Sequence, residues 1–333
     1  MKAVILEGIN EPFTLTDLPK PIVGEKDVLV RIHAAALNHR DLWIQKGLYG
    51  GLRFPSIQGS DGSGVVVETG TAVDPSWMNK EVVINASLNW GKNPNTQAKD
   101  YIILGMAKDG TFAEYTLIPA DRLHLKPPHL SFEEASAIPL AGLTAYRALI
   151  TRAGAKAGET ILVTGAGGGV ALFAVQWALA IGCKVFVTSG SDAKIDAALK
   201  LGVSGGVNYK KENWHKELQT LSGGFDAAID SSGGDTFARL VDICKPSGRI
   251  AMYGATLGAF SSGVPAKIFW KQITLCGSTM GNDDEFAAMM QLVEDKKIKP
   301  VIDSVYSLGD IQQAAQRMQD GAQFGKIVLN HMS

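Results

Sequence analysis

The stretch that most constrains the fold is "VTGAGGGVALFAVQ", residues 163–176, where a short apolar run enters three consecutive glycines and leaves as another apolar run. From Ile161 to Cys183 there is no charged residue. An uncharged apolar run of about twenty residues is long enough to span a bilayer. Gly165 and Gly167 to Gly169 break this one, so the spacing predicts a buried strand, a tight turn and a buried helix. A strand–turn–helix of this kind holds a dinucleotide pyrophosphate when small residues recur as G-x-G-x-x-G. Counted from Gly165 the pattern fails, because Val170 stands where the third glycine belongs. Counted from Ala166 it gives Ala166, Gly168 and Ala171. The middle glycine then lets backbone approach the pyrophosphate, and alanine is accepted at the last position. The alternative is a plain glycine turn, and the rest of the chain has to decide between them.

Residues 1–124 read as short β segments between turn signals, such as "KAVILEG", "DVLVRIHAAAL" and "GSGVVVETG". The stretch 85–109 begins rich in Asn, Gly and Pro and reads as a loop or lobe. From about 130 the rhythm changes. Ser131 with Glu134 is a capping box that opens a helix. Then "TILVTG", "KVFVTSG", "GGVNY", "FDAAIDSS", "RIAMYG" and "QITLCGS" alternate with amphipathic helical segments. That alternation predicts a parallel sheet with helices on both faces. Further helices are expected at 284–295 and 309–319, before a closing strand "GKIVLNH". An α/β domain at 125–280 is therefore expected inside a β-rich one formed by 1–124 and 281–333. The glycine turn falls at the first βα connection of this alternation, which favours the cofactor reading.

The 333 residues exceed what one core usually serves. Net charge is −1, so no global field invites nucleic acid or an anionic membrane, and a small-molecule partner is expected. Cys183, Cys244 and Cys276 are far apart and form no C-x-x-C, which argues against a disulfide framework and suits a reducing cytoplasm. "GVSGG" at 202–206 matches G-x-S-x-G but follows a helix and precedes a strand, the reverse of a nucleophile elbow.

About twenty residues beyond the glycine motif, an NAD site places an acid on the ribose 2′-hydroxyl. Here the strand ends in Thr188, Ser189, Gly190 and Ser191, with no acid. Lys194 follows in the first helical turn, where a cation opposes the helix dipole unless an anion is near. A 2′-phosphate would be that anion, which makes NADP(H) the expected cofactor. Alternatively Ser191 caps the helix, Asp192 satisfies the dipole and Lys194 is solvated.

With "GSDGSGVVVETG" (59–70), "GTFAEY" (110–115), "IPLAGLTAYRAL" (138–149), "ILVTGAGGGVALFAVQWALAIG" (161–182), "GVNY" (206–209) and "GKIVL" (325–329), the chain resembles the medium-chain dehydrogenase/reductase superfamily over essentially its whole length. More narrowly it is similar to the zinc-free, quinone oxidoreductase-like branch. The resemblance implies a doubly wound parallel Rossmann sheet inserted in a β-rich, GroES-like catalytic domain. It places Thr144 beside the nicotinamide and the turn Ala166, Gly167, Gly168, Gly169 and Val170 at the pyrophosphate. Ser189, Ser191, Lys194 and Tyr209 are expected around the 2′-phosphate. Gly254, Thr256, Ser278, Thr279, Phe324, Gly325 and Lys326 are also expected at the cofactor. For some of these the alternatives are structural, with Phe324 in a core, Thr144 a helix residue and Lys326 a solvated strand-edge charge.

Zinc-dependent relatives would carry cysteine where Asn38 stands, histidine where Ser60 stands, and a cysteine near Ala141 and Gly142. Asn, Ser and Ala do not make the three N, S or O ligands of a catalytic zinc, and no metal is expected. His39 alone does not change that. The lobe 85–109 likewise lacks the four cysteines of the relatives' structural zinc. The implied reaction is NADPH-dependent reduction of a quinone or an α,β-unsaturated carbonyl. Asn38, whose amide can donate two hydrogen bonds without titrating, is the expected donor to the carbonyl oxygen, and Tyr49 the expected proton donor. A zinc-free alcohol dehydrogenase, an enoyl-thioester reductase and a non-catalytic NADPH-binding protein remain alternatives. Relatives pair through an edge strand resembling 273–281, so a homodimer is expected.

Overall fold

The computed structural model describes residues 1–260 and 265–331. The chain begins β1 (Lys2–Leu6), β2 (Thr14–Asp17), β3 (Asp27–Ala36), α1 (His39–Gln45), β4 (Ser56–Ile57) and β5 (Asp61–Thr69). It continues β6 (Glu81–Ile84), β7 (Ser87–Leu88), β8 (Ile102–Ile103), β9 (Tyr115–Pro119), β10 (Leu123–Leu125), α2 (Phe132–Ser136) and α3 (Pro139–Tyr146). The alternating stretch is β11 (Thr160–Val163), α4 (Gly169–Ala180), β12 (Lys184–Ser189), α5 (Asp192–Lys200), β13 (Gly205–Asn208) and α6 (Trp214–Ser222), then β14 (Phe225–Asp230), α7 (Thr236–Ile243), β15 (Cys244–Met252), α8 (Pro265–Lys271) and β16 (Thr274–Gly277). It closes with α9 (Asp283–Asp295), β17 (Ile302–Ser307), α10 (Ile311–Gln319) and β18 (Lys326–Asn330).

These elements form two units, one of Met1–Leu143 with Gly281–Ser333, the other of Thr144–Met280. In the second unit all six strands are parallel, in the order β13-β12-β11-β14-β15-β16. Numbered within the unit this is 3-2-1-4-5-6, the doubly wound order, with its switch point between β11 and β14. The turn after β11 opens at that point, where open α/β sheets bind ligands. Leu162, Phe186, Phe225, Leu240 and Ile250 pack its core. Helix α4 is uncharged because it buries seven residues, among them Phe173 and Trp177, each contributing roughly 1.5–3 kcal/mol of transfer free energy. At twelve residues it is a packed core helix. Among the described residues no helix is long and apolar enough to cross a membrane.

In the first unit β10-β6-β5-β3-β18-β17 form one sheet, with β9 also paired to β3. The chain's last strand β18 lies antiparallel to β3, Val328 opposite Ala36. This pairing brings Lys326 to the end of β3, where α1 begins. The unit boundary at 143/144 departs from the expected 124/125, because the segment that opens with the capping box packs on the β-rich unit. Ser131 Oγ accepts Glu134 N at 3.1 Å, and Glu134 Oε2 accepts Ser131 N at 2.9 Å, which forms the predicted box. Phe132 then packs against Ala34, Ala36, Ala137 and Val328, and its carbonyl accepts Ser63 Oγ at 2.6 Å.

Candidate functional site

On the second unit the turn after β11 is shaped by glycine. Gly165 has φ +72° and Gly167 φ +126°, conformations that side chains resist. A β-carbon on Gly167 would lie 2.8 Å from Lys194 Cδ and 3.2 Å from its Nζ. The lysine stem therefore runs directly over the turn. Gly168 is the N-cap of α4, offers no side chain to the first turn, and no acid follows within that turn. A helix N-terminus without a side-chain cap is suited to an anion. Ala166 and Gly167 are buried, while Gly168, Gly169 and Val170 are half-buried.

The end of β12 braces this turn. Ala166 N donates to Thr188 O at 2.8 Å, and Ser189 Oγ donates to Ala166 O at 2.9 Å. That corrects one expectation: the Ser189 hydroxyl is buried and committed to the turn, so it is not aimed at a 2′-phosphate. Ser191 is the N-cap of α5 but makes no side-chain capping bond, so its hydroxyl is not the simple cap of the alternative reading. Asp192 accepts Asn208 Nδ2 at 3.1 Å. A β-carbon on Gly190 would meet Tyr209 Oη at 2.7 Å and Lys210 Cε at 3.1 Å. Ser191, Lys194, Tyr209 and Lys210 thus gather round Gly190 and the turn. Lys210 escaped the sequence reading, although the "YKK" after β13 was its signal.

Buried Asp230 at the end of β14 shapes the neighbouring loop by accepting Thr164 Oγ1 at 2.7 Å, Gly233 N at 3.0 Å and Ser232 N at 3.1 Å. Thr256 donates its hydroxyl to Ser231 O at 2.7 Å, and a β-carbon on Gly254 would lie 3.0 Å from that same carbonyl. Close packing therefore accounts for Gly254, and Thr256 closes the loop. After β16, Ser278 Oγ is buried with no protein partner among the described residues, while Thr279 is exposed. Thr144 is buried in α3, its Oγ1 3.7 Å from Met280 Sδ.

On the first unit a buried polar cluster stands at the end of β3. Lys326 Nζ donates to Leu37 O at 2.8 Å, Asn38 Oδ1 at 2.7 Å and Asp61 Oδ2 at 2.8 Å. Asn38 Nδ2 donates to Asp61 Oδ2 at 2.9 Å, and Asp61 Oδ1 accepts Leu140 N at 2.7 Å. Two expectations are corrected here. Lys326 is not a solvated strand-edge charge, since it is buried and all three of its protons are engaged inside the protein. Asn38 has one amide proton to offer a substrate, because the other is on Asp61. Gly325 has φ +122° and a β-carbon there would clash with Val301 O, so backbone packing explains that glycine. Phe324 is half-buried and its N–H donates to Asp303 Oδ1 at 2.9 Å.

Next to the cluster, Arg40 Nη1 donates to Ser60 Oγ at 2.6 Å and Leu104 O at 2.9 Å. Its guanidinium lies 5.0 Å from the centre of the Tyr49 ring, a cation–π distance that holds the half-buried tyrosine. Asp41 Oδ2 accepts Asn38 N at 2.8 Å, while its Oδ1 is buried with no hydrogen-bond partner among the described residues. Burial pushes the Asp41 carboxyl up to about 6, opposed by Arg40 and the Asn38 N–H. Asp61, Arg40 and Asp41 were missed as a group, though the acid in "GSDG" and the "NHRD" run were visible signals.

The residues at the expected metal positions do not fit zinc. Asn38 Oδ1 faces an ammonium, Ser60 Oγ lies between Arg40 and Leu104 O, and Ala141 and Gly142 supply no ligand atom. Cys183, Cys244 and Cys276 are buried and free, and burial pushes the first two thiols up to about 11, away from nucleophilic use.

Residues 24–128 match the family described as alcohol dehydrogenase GroES-like domain, and residues 169–295 the family described as zinc-binding dehydrogenase. The zinc-type alcohol dehydrogenase-like protein YogA of Leptosphaeria maculans is 36% identical, covering 96% of this chain and 94% of that protein. The quinone oxidoreductase of Homo sapiens is 29% identical, covering 99% and 97%. A crystal structure of an NAD-dependent alcohol dehydrogenase superposes with a TM-score of 0.93 at 37% identity, covering 99% of this chain and all of that one. With its GroES-like and parallel Rossmann units, the chain belongs to the medium-chain dehydrogenase/reductase superfamily of oxidoreductases.

Proposed function

We propose that the protein reduces quinones or α,β-unsaturated carbonyls by hydride transfer from NADPH, without a metal. The observation that carries this reading is the buried Lys326 ammonium bound to Asn38 Oδ1 and Asp61 Oδ2, where a metal-dependent relative would hold its cation. Carbonyl polarisation then falls to N–H and O–H donors, and conjugate or quinone reduction asks less of them than reduction of an isolated ketone. Gly167, Gly168 and Gly169 would hold the dinucleotide at the turn, and its reduced nicotinamide would supply the hydride. The remaining Asn38 Nδ2–H meets the negative charge that builds on the carbonyl oxygen, and the Tyr49 hydroxyl delivers the proton that completes the reduction. Support for NADPH over NADH comes from Lys194, Lys210, Tyr209 and Ser191 round Gly190, where an acid would mark NAD. The name of the superposed NAD-dependent alcohol dehydrogenase favours a second reading, oxidation of alcohols with NAD. The protein is further read as a cytoplasmic homodimer pairing through β16.

The test follows NADPH and NADH oxidation at 340 nm with a panel of quinones, enones and enoyl thioesters. Asn38→Ala is expected to lower kcat about tenfold, less than the usual loss of an oxyanion donor, and Tyr49→Phe to lower it as well. If both variants stay within about twofold of wild type in kcat/KM, the assigned roles are wrong. Turnover only with NAD and alcohols would move the protein to the second reading. Dinucleotide binding with no turnover would make it a non-catalytic binder.

A further inference from the structure

The orientation of the Asn38 carboxamide follows from the chemistry of its neighbours, because an ammonium can only donate and a carboxylate can only accept. Lys326 Nζ at 2.7 Å marks one end as Oδ1, and Asp61 Oδ2 at 2.9 Å marks the other as Nδ2. Asp61 is fully buried and is itself fixed by Leu140 N at 2.7 Å and by Lys326 at 2.8 Å. The third ammonium proton goes to Leu37 O at 2.8 Å. Rotation of the amide by 180° would set Nδ2 against an ammonium and Oδ1 against a carboxylate, so one rotamer is enforced. A single Nδ2 proton is left over.

We propose that Lys326 and Asp61 are positioning residues for Asn38, with the ammonium acting as the resident cation of this place in the fold. The proposal rests on the reading of Asn38 as the donor to the substrate oxygen. A charge-assisted bond to Oδ1 draws density through the conjugated amide and makes the remaining N–H a stronger donor, an effect enlarged by the dry surroundings of a side chain only 7% exposed. A buried ion pair is a weak device for stability, so holding this amide gives the pair a purpose that packing does not. The same geometry excludes a divalent ion, whose ligands Asn38 Oδ1 and Asp61 Oδ2 already surround a cation.

The test combines Lys326→Met/Asp61→Asn with Asn38→Ala and measures kcat, KM and the dinucleotide Kd separately. The neutral pair is used because Lys326→Met alone strands a buried carboxylate and endangers folding. The pair change is expected to lower kcat about tenfold in the wild-type background and less than about twofold once Asn38 is Ala, with the NADPH Kd held within about twofold throughout. Equal losses in both backgrounds overturn the proposal, as does a weakened Kd at unchanged kcat, which would return Lys326 to the cofactor. An activity-free arm uses ¹⁵N-asparagine labelling, the Asn38 side-chain pair being assigned by its loss in Asn38→Ala. Its two amide proton shifts are expected to move when Lys326 and Asp61 are neutralised, and unchanged shifts overturn the proposal. Wild-type protein with which no quinone, enone or enoyl thioester oxidises NADPH sinks the proposed function instead, while the labelled amide still decides the positioning.

Discussion

Asp41 is fully buried beside Arg40 and gives a titration whose sign follows from its surroundings. Its carboxyl is lifted from 3.8 to about 6 in the folded chain, chiefly by burial. The native state therefore holds this proton more tightly than the unfolded chain. Between about pH 4 and 6 stability falls as pH rises, and above that window a penalty of about 3 kcal/mol is fully present. Asp41→Asn keeps an acceptor for Asn38 N–H and cannot ionise. Its Tm relative to wild type should be higher at pH 8 than at pH 4, and a gap independent of pH would refute the buried charge. Residues of this kind were only partly legible in the sequence. Asn38 could be found because its position in "ALNHRD" is local. The burial of Lys326 could not, because its partner Asn38 lies 288 residues away and is reached only through the β18–β3 register. Ser189 was misplaced because a serine at a strand end can turn outward to a phosphate or inward to a carbonyl, and spacing alone does not distinguish the two.

At the scale of elements, the glycine turn and the corner after β12 answer one another. The alternation of strands and helices was readable since each βα step is written within about thirty residues. The edge of the second unit was not, because the Ser131 capping box announces a helix without saying which core Phe132 will enter. Lys194 shows how the element refines the residue. Its Nζ would lie 3.2 Å from a Gly167 β-carbon, close enough to the turn to serve a pyrophosphate as well as a 2′-phosphate. One charge-assisted contact is worth roughly 1.5–3 kcal/mol, so Lys194→Ala should weaken NADPH about tenfold or more while NADH changes little. Equal losses for both dinucleotides would assign Lys194 to the shared pyrophosphate and leave Lys210 to select the phosphate. Titration calorimetry with both cofactors separates the cases.

For the whole molecule, two expectations meet experiment directly. The arrangement of Asn38, Ser60 and Lys326 predicts purified protein without stoichiometric zinc and with activity unchanged by a chelator, and elemental analysis showing one zinc per chain would overturn the ligand argument. The second concerns assembly. The six-stranded sheet ends in β13 on one side and β16 on the other. Residues of β13 are half-buried or buried beneath α5 and α6, whereas Thr274, Leu275 and Gly277 of β16 are exposed. Beside β16 in the chain, α8 exposes Phe269 at 68% and Trp270 at 82%. A bare strand edge with large apolar side chains nearby is a liability unless it is covered. A second copy of the same edge would cover it, continuing the sheet across a two-fold axis with each chain's apolar groups meeting their equivalents. Light scattering should then give twice the 35.4 kDa chain mass at micromolar concentration. Leu275→Lys with Trp270→Asp should halve that mass while leaving the far-ultraviolet dichroism unchanged. A wild-type monomer, or a dimer that survives both charges, would show that this edge is not the interface.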